Sequence, residues 1–391
     1  MSDFYLEVNG LRYQGFTDVN VVKSIENLAG QFTFSTTVKD GFTSATESGI
    51  TFLTGNLGTL QNDLKIQDEV KIYIDDNLLI SGFIEDLSIA YSADSHSISI
   101  AGRDKTGDLI DSSIIQKSYS QRGFVKLIEM VLKDNGHTSI SVINNVANLS
   151  NLESSEIIKT EKGDSIATFL DRYAKKLQVL LITNEDGDLV ITREGDRIAI
   201  GALRNEVKGD INNILSANIN INSNERFHFI EVYSQSGNDD FTVSSINQSA
   251  IAIDPIIRDT RRKRVTMSTA TKALSLNNLA KWSVNVRKAK GSRYNCKVQG
   301  FYAQGSIWKP NTIVQINDER CQIKGEFLIQ GVSYSKSLQG TFTELSVVER
   351  GAFTVEGAPI ADGGSFAKNL IRSANKKILI SDLIKVANRF K

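Results

Sequence analysis

Residues 101–113 read AGRDKTGDLIDSS, and the string Asp104-Lys105-Thr106-Gly107 sets a carboxylate beside a cation, a hydroxyl and a glycine. That set could accept a phosphoryl group on the aspartate. Such chemistry also needs Mg²⁺-binding carboxylates and a nucleotide cradle, and the chain holds no GxxxxGK[ST] phosphate loop. Local structure accounts for the residues better: Gly102 permits an abrupt turn, Asp104 caps the turn that follows, and Asp108 starts a new unit. Asp186-Gly187-Asp188 and Asp239-Asp240 could suggest acid/base work or Ca²⁺. The first pair lies between the apolar runs VLLITN and LVITR and reads as a hairpin turn, since the other oxygen ligands of a calcium loop are missing. His96, His137 and His228 are scattered without ligand spacing, and Cys296 and Cys321 lack a CxxC. Zinc and a His-dependent triad are therefore unsupported, and the cysteines read as reduced, buried thiols. No cofactor and no enzymatic activity are expected.

Asp-Lys-Thr-Gly also resembles the phosphorylated loop of P-type ion pumps, but those proteins cross the membrane many times. No run here approaches the roughly 18 apolar residues that a span requires. The 391 residues suggest two or three units at about 150 residues each. Forty-five Lys and Arg balance 45 Asp and Glu, so charge-driven binding must come from local patches. The opening MSDFYLEVNGLRYQGF has neither a basic leader nor an apolar core, so no secretory signal is expected.

The elements that would position these residues are mostly strands. FYLEVNGLRYQGF reads as a hairpin around Asn9-Gly10, and period-two alternation recurs through residue 104, with turns at Asp75-Asp76-Asn77 and Ser92-Ala93-Asp94. Residues 40–68 read as a long loop or flap. The period then changes. Phe124, Leu127, Ile128, Val131 and Leu132 make a helical stripe, and a second follows with Ile166, Phe169, Leu170, Tyr173 and Leu177 after a cap at Asp164 or Ser165. ATKALSLNNLAKWSVNVRKAK reads as a third helix, and NCKVQGF, TIVQINDERCQI, FLIQGVSYSKS and TFTELSVVER as a second β region. The expected fold is α+β and β-rich, with two related antiparallel barrel-like domains, an inserted α/β domain and a short helical C-terminal tail. The expected boundaries are 1–104 plus about 205–250 for the first barrel, 105–204 for the insert, 251–350 for the second barrel and 351–391 for linker and tail.

A weak internal repeat supports two related β units. FIEDLSIAYSADSHSISIAGR aligns with LIQGVSYSKSLQGTFTELSVVER, matching Ile84 to Ile329, Leu87 to Val332, Ser88 to Ser333 and Arg103 to Arg350. Three stretches, VVKSIENLAGQFTFSTTV, AGRDKTGDLIDSS and RRKRVTMSTATKALSLNNLAKWSVNVRKAKGSRYNCKVQGF with the following WKPNTIV, resemble the baseplate hub proteins of Mu-like contractile-tailed phages. The resemblance implies a homotrimer whose two barrel-like domains per chain form a pseudo-sixfold ring. It implies as partners a central spike below, tail tube proteins above and wedge proteins at the rim, in a tail assembled in the bacterial host cytoplasm. Gly102, Arg103, Asp104, Lys105 and Asp108 then become structural residues of the junction between the first barrel and the insert.

Arg261-Arg262-Lys263-Arg264, extended by Arg258, Lys288 and Lys290, is the strongest local charge feature. It reads either as a solvated loop paired with acidic neighbours or as a patch facing a subunit or the central channel, where DNA would touch it without sequence specificity. GDSIATFLDRYAKKLQV also resembles LysM modules, which leaves a peptidoglycan-binding or lytic tail component as the alternative.

Overall fold

The computed structural model describes residues 3–38, 46–47, 50–52, 64–91, 96–152, 158–195, 197–199, 201–209, 211–234, 249–267 and 273–354. Most of the expected flap at 40–68, the turn at Ser92-Ala93-Asp94, the Asp239-Asp240 pair and the tail from residue 355 lie outside the described residues. The chain is β-rich with few helices, as expected.

The first β region comprises β1 (Phe4–Val8), β2 (Leu11–Gln14), β3 (Asp18–Ser24), β4 (Gln31–Val38), β5 (Glu69–Ile74), β6 (Asn77–Tyr91) and β7 (His96–Asp104). Alternation drives it: Phe4, Leu6 and Val8 point inward from β1, as Val70, Ile72 and Ile74 do from β5. The middle region holds α1 (Gly107–Asp111), α2 (Phe124–Asp134), β8 (Val142–Asn144), α3 (Ile166–Leu177), β9 (Leu180–Thr183) and β10 (Leu189–Thr192). Both expected helical stripes pack there in a core of their own with Leu109, Ile158 and Leu189, all buried except the half-buried Leu177. Ser165 caps α3 by accepting from the Thr168 amide, and Gln178 ends it in a left-handed conformation.

The remainder comprises β11 (Ile214–Ile221), β12 (Phe229–Ser234), β13 (Ser249–Ile253), β14 (Arg262–Met267), α4 (Ala273–Lys290), β15 (Ser292–Gln299), β16 (Thr312–Asp318), β17 (Ile323–Ser337) and β18 (Gly340–Glu349). Along the main sheet the order is β11, β15, β18, β17, β3, β4, β7, β6, β5, β1, β2. No closed sheet is found among the described residues. Both β regions share one hydrophobic core, in which Phe301 packs edge-on against Phe4 at 4.9 Å and against Tyr334 at 6.3 Å.

Two expectations about the chain path are corrected by strand pairing. Residues 205–250 do not return to the first β region: β11 pairs with β15, and β12 joins β13 and β14 in a separate sheet covered by α4. The apolar positions of β12 and β13 (Ile230, Val232, Ala250, Ala252) find their cover on Leu276 and Ala280 of α4. The α/β region also ends earlier than residue 204. After β10, Glu194 accepts the amides of Gly351 and Phe353, and the short strands Arg197–Ile198 and Leu203–Asn205 run parallel to β16.

The internal repeat proves to be a four-strand unit. The row Val21, Phe32, Gly102, Ile84 crosses β3, β4, β7 and β6; its counterpart Ile219, Tyr294, Val347, Ile329 crosses β11, β15, β18 and β17. Each long strand breaks register at the same place, at Glu85 between Ile84 and Asp86 in β6 and at Gln330 between Ile329 and Gly331 in β17. A bulge at matching positions is hard to obtain from generic hairpins, because it re-aims every later side chain. This register aligns Ile84 with Ile329 and Ser88 with Ser333 as expected, but sets Arg103 opposite Val348 rather than Arg350.

Candidate functional site

The junction where the middle region leaves the first unit is built around a buried carboxylate. Asp104, at the end of β7, is 2% exposed; its Oδ2 accepts the Gly30 amide at 2.7 Å, and its Oδ1 accepts the Thr106 amide at 3.1 Å and hydroxyl at 2.6 Å. Burial pushes the Asp104 carboxyl above its ordinary range, against the pull of Thr106, the Gly30 amide and Lys23. Both oxygens are consumed by the fold, and no route is open for a phosphoryl donor. Thr106 in turn lies 2.7 Å from the Thr183 hydroxyl, which donates to the Leu28 carbonyl and so ties β9 to the loop before β4.

Gly102 makes no turn, contrary to expectation. It lies inside β7, where a Cβ would come within 2.0 Å of the Phe83 carbonyl and 2.6 Å of the Phe32 ring. Its role is to let the bulged β6 approach. Arg103 forks onto Glu85 at 2.8 Å and onto Asp111 of α1, and Lys105 reaches Glu69 at 2.9 Å. Asp108 is exposed in the first turn of α1, where its carbonyl accepts the Ser112 amide.

A second layer of charge stands behind Asp104. The Lys23 ammonium donates to the carbonyls of Leu79 at 2.9 Å and Asn184 at 3.1 Å. Desolvation holds it below the usual lysine range, with Glu185 and Asp104 pulling it back up. Glu185 accepts from Lys309 at 2.5 Å; burial raises its carboxyl, but Lys309 and Lys23 outweigh that and leave it low. Lys23 comes from the first unit, Glu185 from the β9–β10 turn and Lys309 from the second β region, so this knot joins three parts of the chain. Gly187 sharpens the turn with φ of 83°, and a Cβ there would meet the Ser81 carbonyl at 2.8 Å.

The basic string folds as strand β14, and strand alternation divides it. Arg262 and Arg264 are exposed; Arg262 lies over the Phe229 ring at 5.8 Å and Arg264 pairs with Glu231 at 3.3 Å. Arg261 and Lys263 turn instead to Phe227, at 5.5 and 5.2 Å, where Arg287 of α4 joins them at 5.3 Å. Arg258 is exposed in the preceding loop, and Lys290 reaches Glu26 at 3.7 Å. Arg258, Arg261, Arg262, Lys263 and Arg264 therefore do not all face one way.

Three family models match separate stretches of the chain: Mu phage baseplate assembly protein GpP-like, N-terminal, over residues 3–104; baseplate hub protein gp44-like, second domain, over 106–193; and Mu phage baseplate assembly protein GpP, fourth domain, over 271–356. The baseplate hub protein gp44 of Escherichia phage Mu is 25% identical over 365 residues, covering 90% of this chain and 88% of gp44. The chain belongs to the Mu-like baseplate hub family. Its hub fold also appears in the 43 kDa tail protein of prophage MuSo2 from Shewanella oneidensis, with a TM-score of 0.73 at 24% identity over 89% of this chain and 98% of that one. The tail protein from Neisseria meningitidis MC58 gives 0.74 at 19% identity, over 92% and 99%.

The first boundary between matched hub domains falls at residues 104–106, on Asp104 itself. Sequence reasoning found that carboxylate but missed its partners. Lys23 stands 161 positions from Asn184 and Glu185 stands 124 from Lys309, and no local signal connects them. The clue was present only as a Lys in the β-branched run VNVVKSI, where a cation must find partners if its strand is buried.

Proposed function

We propose that this hub protein is a non-enzymatic structural component of the virion tail baseplate, working as a trimeric ring of pseudo-sixfold symmetry between a sixfold tail tube and a threefold spike. The observation that carries this reading is the duplicated four-strand unit, laid side by side in one sheet with matching bulges. Three chains with two equivalent units offer six similar faces, which is what an adaptor between sixfold and threefold neighbours needs. On this reading the two barrel-like domains close only in the assembly, since the described residues of one chain form no closed sheet.

The family likeness supports partners among spike, tube and wedge proteins. Arg258, Arg262 and Arg264 are the candidate contacts to an adjoining subunit or to DNA in transit, while Arg261 and Lys263 serve the packing around Phe227. Residues Gly102, Arg103, Asp104, Lys105 and Asp108 hold the middle domain in place. The peptidoglycan alternative rests on the α3 segment, whose apolar stripe is taken up by its own core. A solution mass of three chains for the purified protein, and a ring with near-sixfold outline and three protrusions on imaging, are the expected results. A strict monomer at micromolar concentration in the presence of the spike would overturn the ring, and enrichment on purified cell wall would favour the alternative.

A further inference from the structure

The described chain ends against a groove. Ile25 and Leu28 of the loop between β3 and β4, Leu181 of β9, Trp282 and Val286 of α4, and Phe353 line a depression of about 520 Å³ that α3 also borders. It lies where separate hydrophobic cores approach one another. Leu28 and Leu181 belong to the margin of the middle core, and Val286 to the margins of the α4 core and of the small core around Leu328 and Phe353. Leu28, Leu181 and Val286 are only half-buried, and Ile110 in the same groove is 39% exposed. An apolar groove of this kind suits one face of an amphipathic helix.

The chain leaves the described residues through this groove. The Trp282 indole donates to the Phe353 carbonyl at 3.1 Å and the Asn285 side-chain amide to the Thr354 carbonyl at 3.0 Å, which fixes the exit beside α4. Thirty-seven residues follow. Among them Leu379, Leu383, Val386 and Phe390 stand at i, i+4, i+7 and i+11, with Ile380 and Ala387 beside them and Ser381, Lys385, Asn388 and Arg389 on the opposite arc. That spacing predicts a helix about 18 Å long with one apolar face. At up to about 3.3 Å per residue, residues 355–378 bring the stripe within reach of every part of the groove. Tethering on one chain also holds it at an effective concentration on the order of millimolar, which favours the chain's own groove over that of a second copy.

We propose that residues 379–390 form an amphipathic helix seated in the groove of their own chain, with the stripe Leu379, Leu383, Val386 and Phe390 packed on Leu28, Leu181, Val286 and Phe353. Apolar surface on both sides leaves water together. The seated helix ties the first β unit, the middle region and α4 across one surface, because the groove takes residues from all three. The seat is a property of the single chain and does not depend on the ring.

The test uses the full chain carrying Ala387→Cys, beside the stripe, labelled with a benzophenone maleimide. The native thiols take little label at neutral pH, since burial pushes Cys296 up to about 12 and Cys321 up to about 11. Irradiation is expected to give products of single-chain mass on a denaturing gel, whose cross-linked peptides contain residues 25–31, 179–181 or 282–290. Hydrogen exchange supplies a readout without a label. Leu383→Asp, which breaks the stripe without touching the described core, is expected to speed exchange in residues 25–31 about tenfold. Ser381→Asp, on the polar arc, is expected to leave it unchanged. Cross-links of two-chain mass would assign the helix to a second copy, and cross-links confined to other surfaces would place it elsewhere. Either result, or exchange that Leu383→Asp leaves unaltered, would overturn the seat.

Discussion

The two four-strand units share a register but differ in the chemistry at their strand ends. Where the first unit has Lys23 and Asp104, the second has Ile221 and Glu349, and only the first set is drawn into a buried polar knot. The difference follows from what each unit adjoins. The first must hold a whole α/β region that leaves the sheet after Asp104 and returns through the β9–β10 turn, whereas the second ends at the sheet's open edge. A duplicated sheet can thus keep its backbone hydrogen bonding while its ends diverge, one toward an internal junction and one toward a surface. Directional polar bonds suit the junction, because each unsatisfied donor would be costly there. Apolar edge residues suit a contact formed with another chain.

The largest expected effect sets β17, where it pairs with β3, against its counterpart β6. Tyr334→Ala should remove about 3–5 kcal/mol of folding stability, since it empties a buried aromatic site and deletes the hydroxyl bond to the Trp308 carbonyl. Ile89→Ala at the counterpart position should stay within about 1 kcal/mol in the isolated chain, because its side chain is already 41% exposed. Urea unfolding of both variants checks the pair; equal losses would mean that the outer edge is already packed in the monomer.

Asp104→Ala should follow, at about 3–5 kcal/mol, because the Gly30 and Thr106 amides lose their acceptor in a buried place and Lys23 loses a counter-charge. Asp104→Asn keeps one acceptor oxygen and should lose less, about 1–3 kcal/mol. The same denaturant series ranks them, and the reverse order would refute the junction as described.

Glu185 gives a smaller, pH-dependent effect. Its carboxyl pKa is lower in the folded state than in the unfolded chain, so the stability it contributes is present above the unfolded value of about 4.3 and is lost as pH falls through the folded value. Glu185→Gln should therefore flatten the acid side of the stability profile and change little at pH 9 relative to pH 7. Thermal midpoints between pH 3 and pH 9 test this, and an unaltered acid limb would refute it. The smallest effect belongs to the basic strand. Arg264→Ala breaks a pair in which the arginine is well exposed, and should leave the urea midpoint indistinguishable from that of the wild type.

Much of this architecture can be read along the chain because its causes are local. The stripe Phe124, Leu127, Ile128, Val131, Leu132 has a helix's period, and the structure places α2 there. The repeat was visible through Ile84 and Ile329, because a bulged hairpin leaves the same alternation in both copies. What failed were inferences that needed a partner. Gly102 looked like a turn residue, but its smallness serves the close approach of Phe83 and Phe32. The basic string looked like one patch until strand geometry sent Arg262 and Arg264 one way and Lys263 another.

Periodicity, turn chemistry and the internal repeat are properties of neighbouring residues, and through them the sequence by itself determined the β-rich character, the helices of the middle region and the existence of two related units. Only tertiary structure decided that residues 214–221 pair with β15, that Lys23 stands between Asp104 and the Glu185–Lys309 pair, and which strand edges stay open among the described residues. Strand pairing and buried ion pairing depend on which segments meet in space, and a one-dimensional pattern specifies the faces of a strand but not its neighbour.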